Sequence, residues 1–278
     1  MQLHTSARMS GHRGVTRLDA LALMAGLVIL GSSAASWANI RFNGEESRRI
    51  RCLEHVRKLA MATTMYSGDN RDLLPHSSWG TLGAGVGHDS WAYAAQVNGV
   101  PIPSAMDQTN GDRQRPFAEA GQLRPWVDAS DVFFCPSDLH WNLGPGAALW
   151  RTRHNKTSSY AMNAAVIGFG RLAGGRPYPL SRFRPDAFLF AEPNEMNSFF
   201  FNDAALIPHE GVSGRHGQNV SATLDPGLGA SHVGLADGSA QWISVAAFED
   251  NSGRTSVPPR VAVPNRAWCE PGSPTGGR

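Results

Sequence analysis

The sequence predicts an α+β protein: a long N-terminal helix, part transmembrane and part stalk, packed on an antiparallel β-sheet head with long loops. Three observations predict it. A leader without acidic residues, Met1 to Gly14, carries Arg8 and Arg13 and precedes an apolar run from Leu18 to Ala38. Apolar residues continue at helical spacing through Ile50, Leu53, Val56, Leu59 and Ala60, and no Pro interrupts Val15 to Tyr66. Beyond Pro75 the texture changes to short apolar runs set between Gly, Pro and Asp clusters.

The composition suits this plan. Hydrophobic residues make up 41% of the 278 and charged residues 17%, so the bulk folds. A net charge of +2 with scattered basic residues gives no footprint for nucleic acid. Positive charge before about 20 apolar residues reads as a membrane-targeting element. On the reading with a cut after Gly14, residues 1–14 are expected to be a cytoplasmic leader and 15–38 the membrane span. Three export readings are open: a signal peptide cut after Ala38, an uncleaved anchor, or a cut after Gly14 that keeps the apolar segment in the mature chain. Asp19 favours the last, because an acid at the membrane end of an apolar run needs a positive partner, and a new amino terminus at Val15 supplies one. Residues 39–75 continue as a helical stalk, which a cut at Ala38 does not predict.

Residues 76–250 form the head. Gly80 to Gly87 and Val100 to Arg115 read as surface excursions. Strand-like runs are Val132 to Cys135, Tyr160 to Ile167, Ala187 to Ala191, His232 to Ala236 and Ala240 to Val245. Asp237-Gly238 between the last two is a two-residue hairpin signal. A functional reading instead has His216 and Asp237 converge on one site. Residues 251–278, rich in Pro, Gly and Arg, are expected to be a loose tail.

Several segments carry a family resemblance. Gly14 to Leu23, G-V-T-R-L-D-A-L-A-L, resembles the prepilin consensus G-F-T-L-I-E-L. Glu46 to Pro75 resembles the stalk of pseudopilin-like proteins abundant in planctomycetes, which carry a prepilin-type leader and a C-terminal H-X9-DG signature. V-F-F-C-P-S-D at Val132 to Asp138 and S-S-Y-A-M-N at Ser158 to Asn163 match head segments of that family. Arg215 to Ile243 resembles its C-terminal signature through Arg215, His216 or His232, Asp237, Gly238 and Trp242, with His216 separated from Asp237 by an insertion. Val15 and Asp19 stand where the family has Phe and Glu, and Arg17 is an unusual charge.

The resemblance implies a single-pass inner-membrane subunit of a type II secretion or type IV pilus-like system, with its head in the periplasm. Gly14 and Val15 would be the processing site and Asp19 the assembly residue. Partners would be prepilin peptidase, further pseudopilins or copies of itself, and the assembly platform. The alternative is a tethered or secreted module binding carbohydrate or peptide, for which Trp79, Trp91, Trp126, Trp141 and Trp150 are candidates. No catalytic residue or cofactor is expected. His209, His216 and His232 lack zinc spacing. Asp69, Asp72, Asp138 and Asp225 are candidate calcium donors, though turn-forming Asp explains them equally. In an oxidising compartment Cys52 and Cys135 either staple head to stalk or stay as buried thiols, and Cys269 is left to pair with a partner chain.

Overall fold

The computed structural model describes residues 44–109, 111–217, 229–253 and 261–278. The chain divides into Met1–Ser47 and Arg48–Arg278, and the architecture below is that of the second unit. The expected leader, the 15–38 span, Gly14, Val15, Asp19 and Asp225 lie outside the described residues. No helix among the described residues is long and apolar enough to cross a membrane.

Helix α1 runs Glu45–Asp69, with Glu45 and Glu46 in its first turn, where carboxylates complement the helix dipole. It buries Cys52, Val56, Leu59, Ala60 and Thr63 on one side. Ile50, expected in that stripe, is 53% exposed with Met61 and Met65, so the buried side is rotated toward Cys52. The end is closed by Asn70, whose Nδ2 donates to the Tyr66 carbonyl at 2.8 Å, and by the Asp72 N–H to the Ser67 carbonyl.

Two small antiparallel pairs follow, β1 (Gly80–Thr81) with β2 (Gly85–Val86) and β3 (Gln96–Val97) with β4 (Val100–Pro101); β1, β2 and β4 fall in segments expected to be surface excursions. Short helices α2 (Arg115–Glu119), α3 (Pro136–Asn142) and α4 (Ala147–Arg151) lead to the central sheet. Its strands are β5 (Ala161–Asn163), β6 (Phe188–Ala191), β7 (Ala205–Leu206), β8 (Ala230–Leu235) and β9 (Ala240–Ser244), in the order β7-β5-β6-β8-β9. Pairing is antiparallel except between β5 and β7, so the sheet is mixed rather than wholly antiparallel. Helix α5, Val245–Ser252, closes the succession.

Every residue of β6 and β8 is buried, because both sheet faces are covered. Val233 and Leu235 face a core shared with Phe188, Phe248 of α5 and Ala267. The alternate residues of β8 face α1. A Cβ on Gly234 would lie 3.1 Å from Val56 and 3.3 Å from Ala60, so glycine there permits the close approach of helix to strand.

Three further expectations are corrected. Val132 to Cys135 is not a strand: Ser130–Phe133 is a 3₁₀ turn, and Cys135 precedes α3, whose first residue is Pro136. The β8–β9 turn is a residue longer than a two-residue hairpin, since Leu235 N–H bonds the Ser239 carbonyl across Ala236, Asp237 and Gly238, with Gly238 at φ +84°. Residues 251–278 are not a loose tail where they are described. Asn251 and Ser252 end α5, and Trp268, Cys269 and Glu270 are buried. Phe188 N–H reaches the Arg266 carbonyl at 2.8 Å, so the segment satisfies a backbone donor of β6, and Asn163 Nδ2 holds the segment in turn by donating to the Ala267 carbonyl at 2.8 Å.

Candidate functional site

The face of the sheet turned toward α1 ends in a cluster of buried polar groups. Asp138 enters it from the first turn of α3 and has no exposed side-chain surface. Its carboxylate accepts from Arg153 at 2.9 and 3.1 Å and from Ser159 Oγ at 2.7 Å, and it pairs with Arg215 at 2.5 Å. Burial alone would raise its pKa, but Arg153 and Arg215 outweigh burial and hold the carboxyl far below the ordinary range. Arg215 donates through Nε to Ser213 Oγ at 2.7 Å and through Nη2 to Glu195 at 3.4 Å. Arg153 is also fully buried, with its guanidinium carbon 3.6 Å from the Phe201 ring centre.

A second carboxylate, Glu192, follows β6 directly. It bonds His216 Nε2 at 2.9 Å and accepts from Ser231 Oγ and the His232 N–H at 3.2 and 3.1 Å. Burial works to raise its pKa, and His216, His232 and Arg215 prevail and bring it down to about 2. The rings of His216 and His232 lie 4.3 Å apart. Burial pushes His232 down to about 4, so it is neutral near pH 7. Above this group, Cys52 of α1 and Cys135 are joined as a disulfide with Cα atoms 4.9 Å apart. His216 Nε2 is 3.4 Å from the Cys135 sulfur, and Tyr160 OH donates to the Cys52 carbonyl at 3.4 Å.

Donor atoms of Cys52, Cys135, Glu192 and His216 lie within 4.8 Å of one another, a metal-like grouping. With the sulfurs bonded to each other, neither is the thiolate that a metal would take. In this oxidised arrangement the cluster connects α1, the turn before α3, the end of β6, the Arg215 segment and β8.

The structure therefore brings together Cys52, Cys135, Arg215, His216 and His232. It separates Asp237 from them: that residue is exposed at the far end of β8, where its Oδ1 accepts from Ser239 N–H at 2.9 Å and from its hydroxyl at 2.6 Å. The convergence of His216 with Asp237 is corrected accordingly, and Asp237 serves the turn, with Gly238 supplying the positive φ. Trp242 pairs across the strands with His232 and is 49% exposed. His209 stands apart, stacked 6.3 Å from Trp268.

The calcium candidates among the described residues are dispersed and engaged. Asp69 accepts from Trp126 Nε1 at 3.1 Å, Asp72 from Ser181, and Asp138 from its two arginines. Nor do the five tryptophans form one groove, since Trp91 is fully buried while Trp79 is 38% exposed. Cys269 is buried, its thiol pushed up to about 12 by burial, which opposes pairing with a partner chain.

Glu192, Glu195 and Arg153 were missed by sequence reasoning. A signal existed for Glu192, which follows the wholly apolar run Phe188 to Ala191 in F-L-F-A-E-P-N-E. An acid at the end of a buried strand requires a partner.

Fold and site together define a mixed α+β domain whose first helix packs on a five-stranded sheet and is fastened by a disulfide to the segment before α3, beside a buried ionic cluster. The chain belongs to the family described as protein of unknown function (DUF1559), whose profile matches residues 44–196, more than half of its length. The matched stretch holds α1, Cys135, Asp138 and Glu192 and stops before Arg215. No curated protein and no solved structure matches the chain.

Proposed function

We propose that the chain is a pseudopilin-like, membrane-anchored structural subunit of a type II secretion or type IV pilus-like assembly. One observation carries this reading: α1, at the end of the stalk that follows the apolar run Leu18 to Ala38, is covalently fastened to the head through Cys52 and Cys135. A helix that transmits assembly forces to a head gains from such a fastening. A second support is the outer side of α1, where Ile50, Met61 and Met65 are 53, 47 and 55% exposed and available to neighbouring helices.

The test is the N-terminal residue and intact mass of the mature protein purified from membranes. A start at Val15, with or without N-methylation, supports prepilin processing. A start at Asn39 means ordinary secretion and discards the assembly reading. The second reading, an extracytoplasmic binding module, is favoured by a cavity of about 480 Å³ in the head.

A further inference from the structure

That cavity has none of the disulfide-cluster residues in its lining and lies between α2, the 3₁₀ turn Ser130–Phe133, α3 and α4. Its size falls within the range of about 300–1,000 Å³ that holds small ligands. Phe133, Phe134, Leu139 and Trp150 give it apolar walls, and Leu143 at its edge is 89% exposed. A leucine so open to water, beside a concave apolar surface, is a feature that ligand burial would relieve.

The polar groups of the wall divide into engaged and unengaged. Lys156 Nζ is satisfied by the carbonyls of Ala105 at 2.6 Å and Arg153 at 2.9 Å, and Arg115 is paired with Asp112 at 2.7 Å. Trp150 Nε1 donates to the Thr109 carbonyl, and cations from Arg153 and Lys156 lie near its ring. Among the lining side chains that are not exposed, two carry buried atoms without a partner among the described residues. Asn142 is only 7% exposed, and neither its Nδ2 nor its Oδ1 has a partner among the described residues. Arg124 donates through Nη1 to the Val127 carbonyl, but its buried Nε has no partner there. Buried polar groups left in this state are costly, so a ligand that engages them recovers that cost.

We propose that the cavity binds the C-terminal end of a peptide with an apolar last residue. Each unengaged group then has a counterpart. The terminal carboxylate accepts from Arg124 Nε as a charge-assisted hydrogen bond. The last peptide N–H donates to Asn142 Oδ1, a peptide carbonyl accepts from Asn142 Nδ2, and the apolar side chain lies against Phe133, Phe134 and Leu139. Charge agrees, since Arg115, Arg124 and Lys156 outnumber Asp112 and Glu119 in the lining. A carbohydrate fits less well: its many hydroxyls would meet two unengaged side chains, and the Trp150 ring already has cations beside it. The inference does not depend on how the N-terminus is processed.

The test uses the full chain purified from membranes and titrated calorimetrically with acetyl-Phe-Leu, its C-terminal amide, and dodecanoate below its micellar concentration. The expected result is saturable one-site binding of acetyl-Phe-Leu, at least tenfold tighter than the amide. Arg124→Gln should erase the preference for acid over amide, and Asn142→Leu should weaken both probes together, with melting temperatures checked for each variant. Absence of saturable binding by the parent protein overturns the proposal. So does an Arg124→Gln protein that melts normally and keeps the preference. Dodecanoate binding as tightly as the peptide would also overturn it, since a fatty acid has no N–H for Asn142.

Discussion

Asp138 accepts from Arg153 and Ser159 and pairs with Arg215 while having no surface of its own. Replacing it removes the countercharge of two buried guanidinium groups, and uncompensated buried charge is worth about 3–5 kcal/mol. Asp138→Asn keeps the size and loses the charge, so urea unfolding should show a loss on that order; a loss below about 1 kcal/mol would contradict the network. Asp203 makes a different prediction. Burial and the neighbouring charge of Glu210 push its pKa up to about 7. Between pH 4 and 7 the folded chain holds a proton on Asp203 that the unfolded chain has released. Its contribution is therefore complete below about pH 4 and is lost as pH rises toward 7. Glu210, also raised to about 7 by burial, acts in the same direction, while His232, lowered to about 4, opposes both. Asp203→Asn removes one of the three. Its stability relative to the parent should improve by a few kcal/mol between pH 4.5 and 7.5, read from urea midpoints at both pH values. An unchanged difference would refute the assignment.

At the scale of elements, α1 depends on what it touches. In a folded protein most of a helix's stability comes from packing one side rather than from propensity, and α1 buries Cys52, Val56, Leu59 and Ala60 on one side. Val56 and Ala60 meet β8 where Gly234 leaves room, and the disulfide closes a loop between residues 83 apart in sequence. In the chain-entropy account a loop of that size contributes about 4–5 kcal/mol. The double variant Cys52→Ser, Cys135→Ser should lose that amount in urea unfolding, and dithiothreitol should impose a similar loss on the parent. Equal midpoints for parent, reduced parent and variant would show that the fastening does not stabilise the head.

For the whole molecule, the assembly reading places its weight on Asp19, outside the described residues. Asp19 stands at the membrane end of the apolar run, where an acid needs a positive partner, which gives the residue a reason to seek an amine. Asp19→Ala should leave the protein in the membrane fraction and abolish cross-linked or sedimenting assemblies. Normal assembly by this variant would refute pairing with the Val15 amine.

The sequence by itself determined what local pattern controls. Periodicity marked α1, apolar runs with flanking turn residues marked the cores of β6, β8 and β9, and Asp237-Gly238 marked the hairpin turn. These features depend on neighbours a few residues away. Only the tertiary structure decided the rest. Which side of α1 is buried depended on its partner strand, and Val132 to Cys135 became a turn because α3 begins at Pro136. The cluster was legible only in fragments: Cys52, Cys135, Arg215, His216 and His232 stood out, while their partners Glu192, Glu195 and Arg153 did not. Asp138 pairs with Arg153, 15 positions away, and with the far more distant Arg215, and no local period encodes such distances. A charge that looks like a turn residue in the chain becomes structural when folding removes water and leaves only other side chains to answer it.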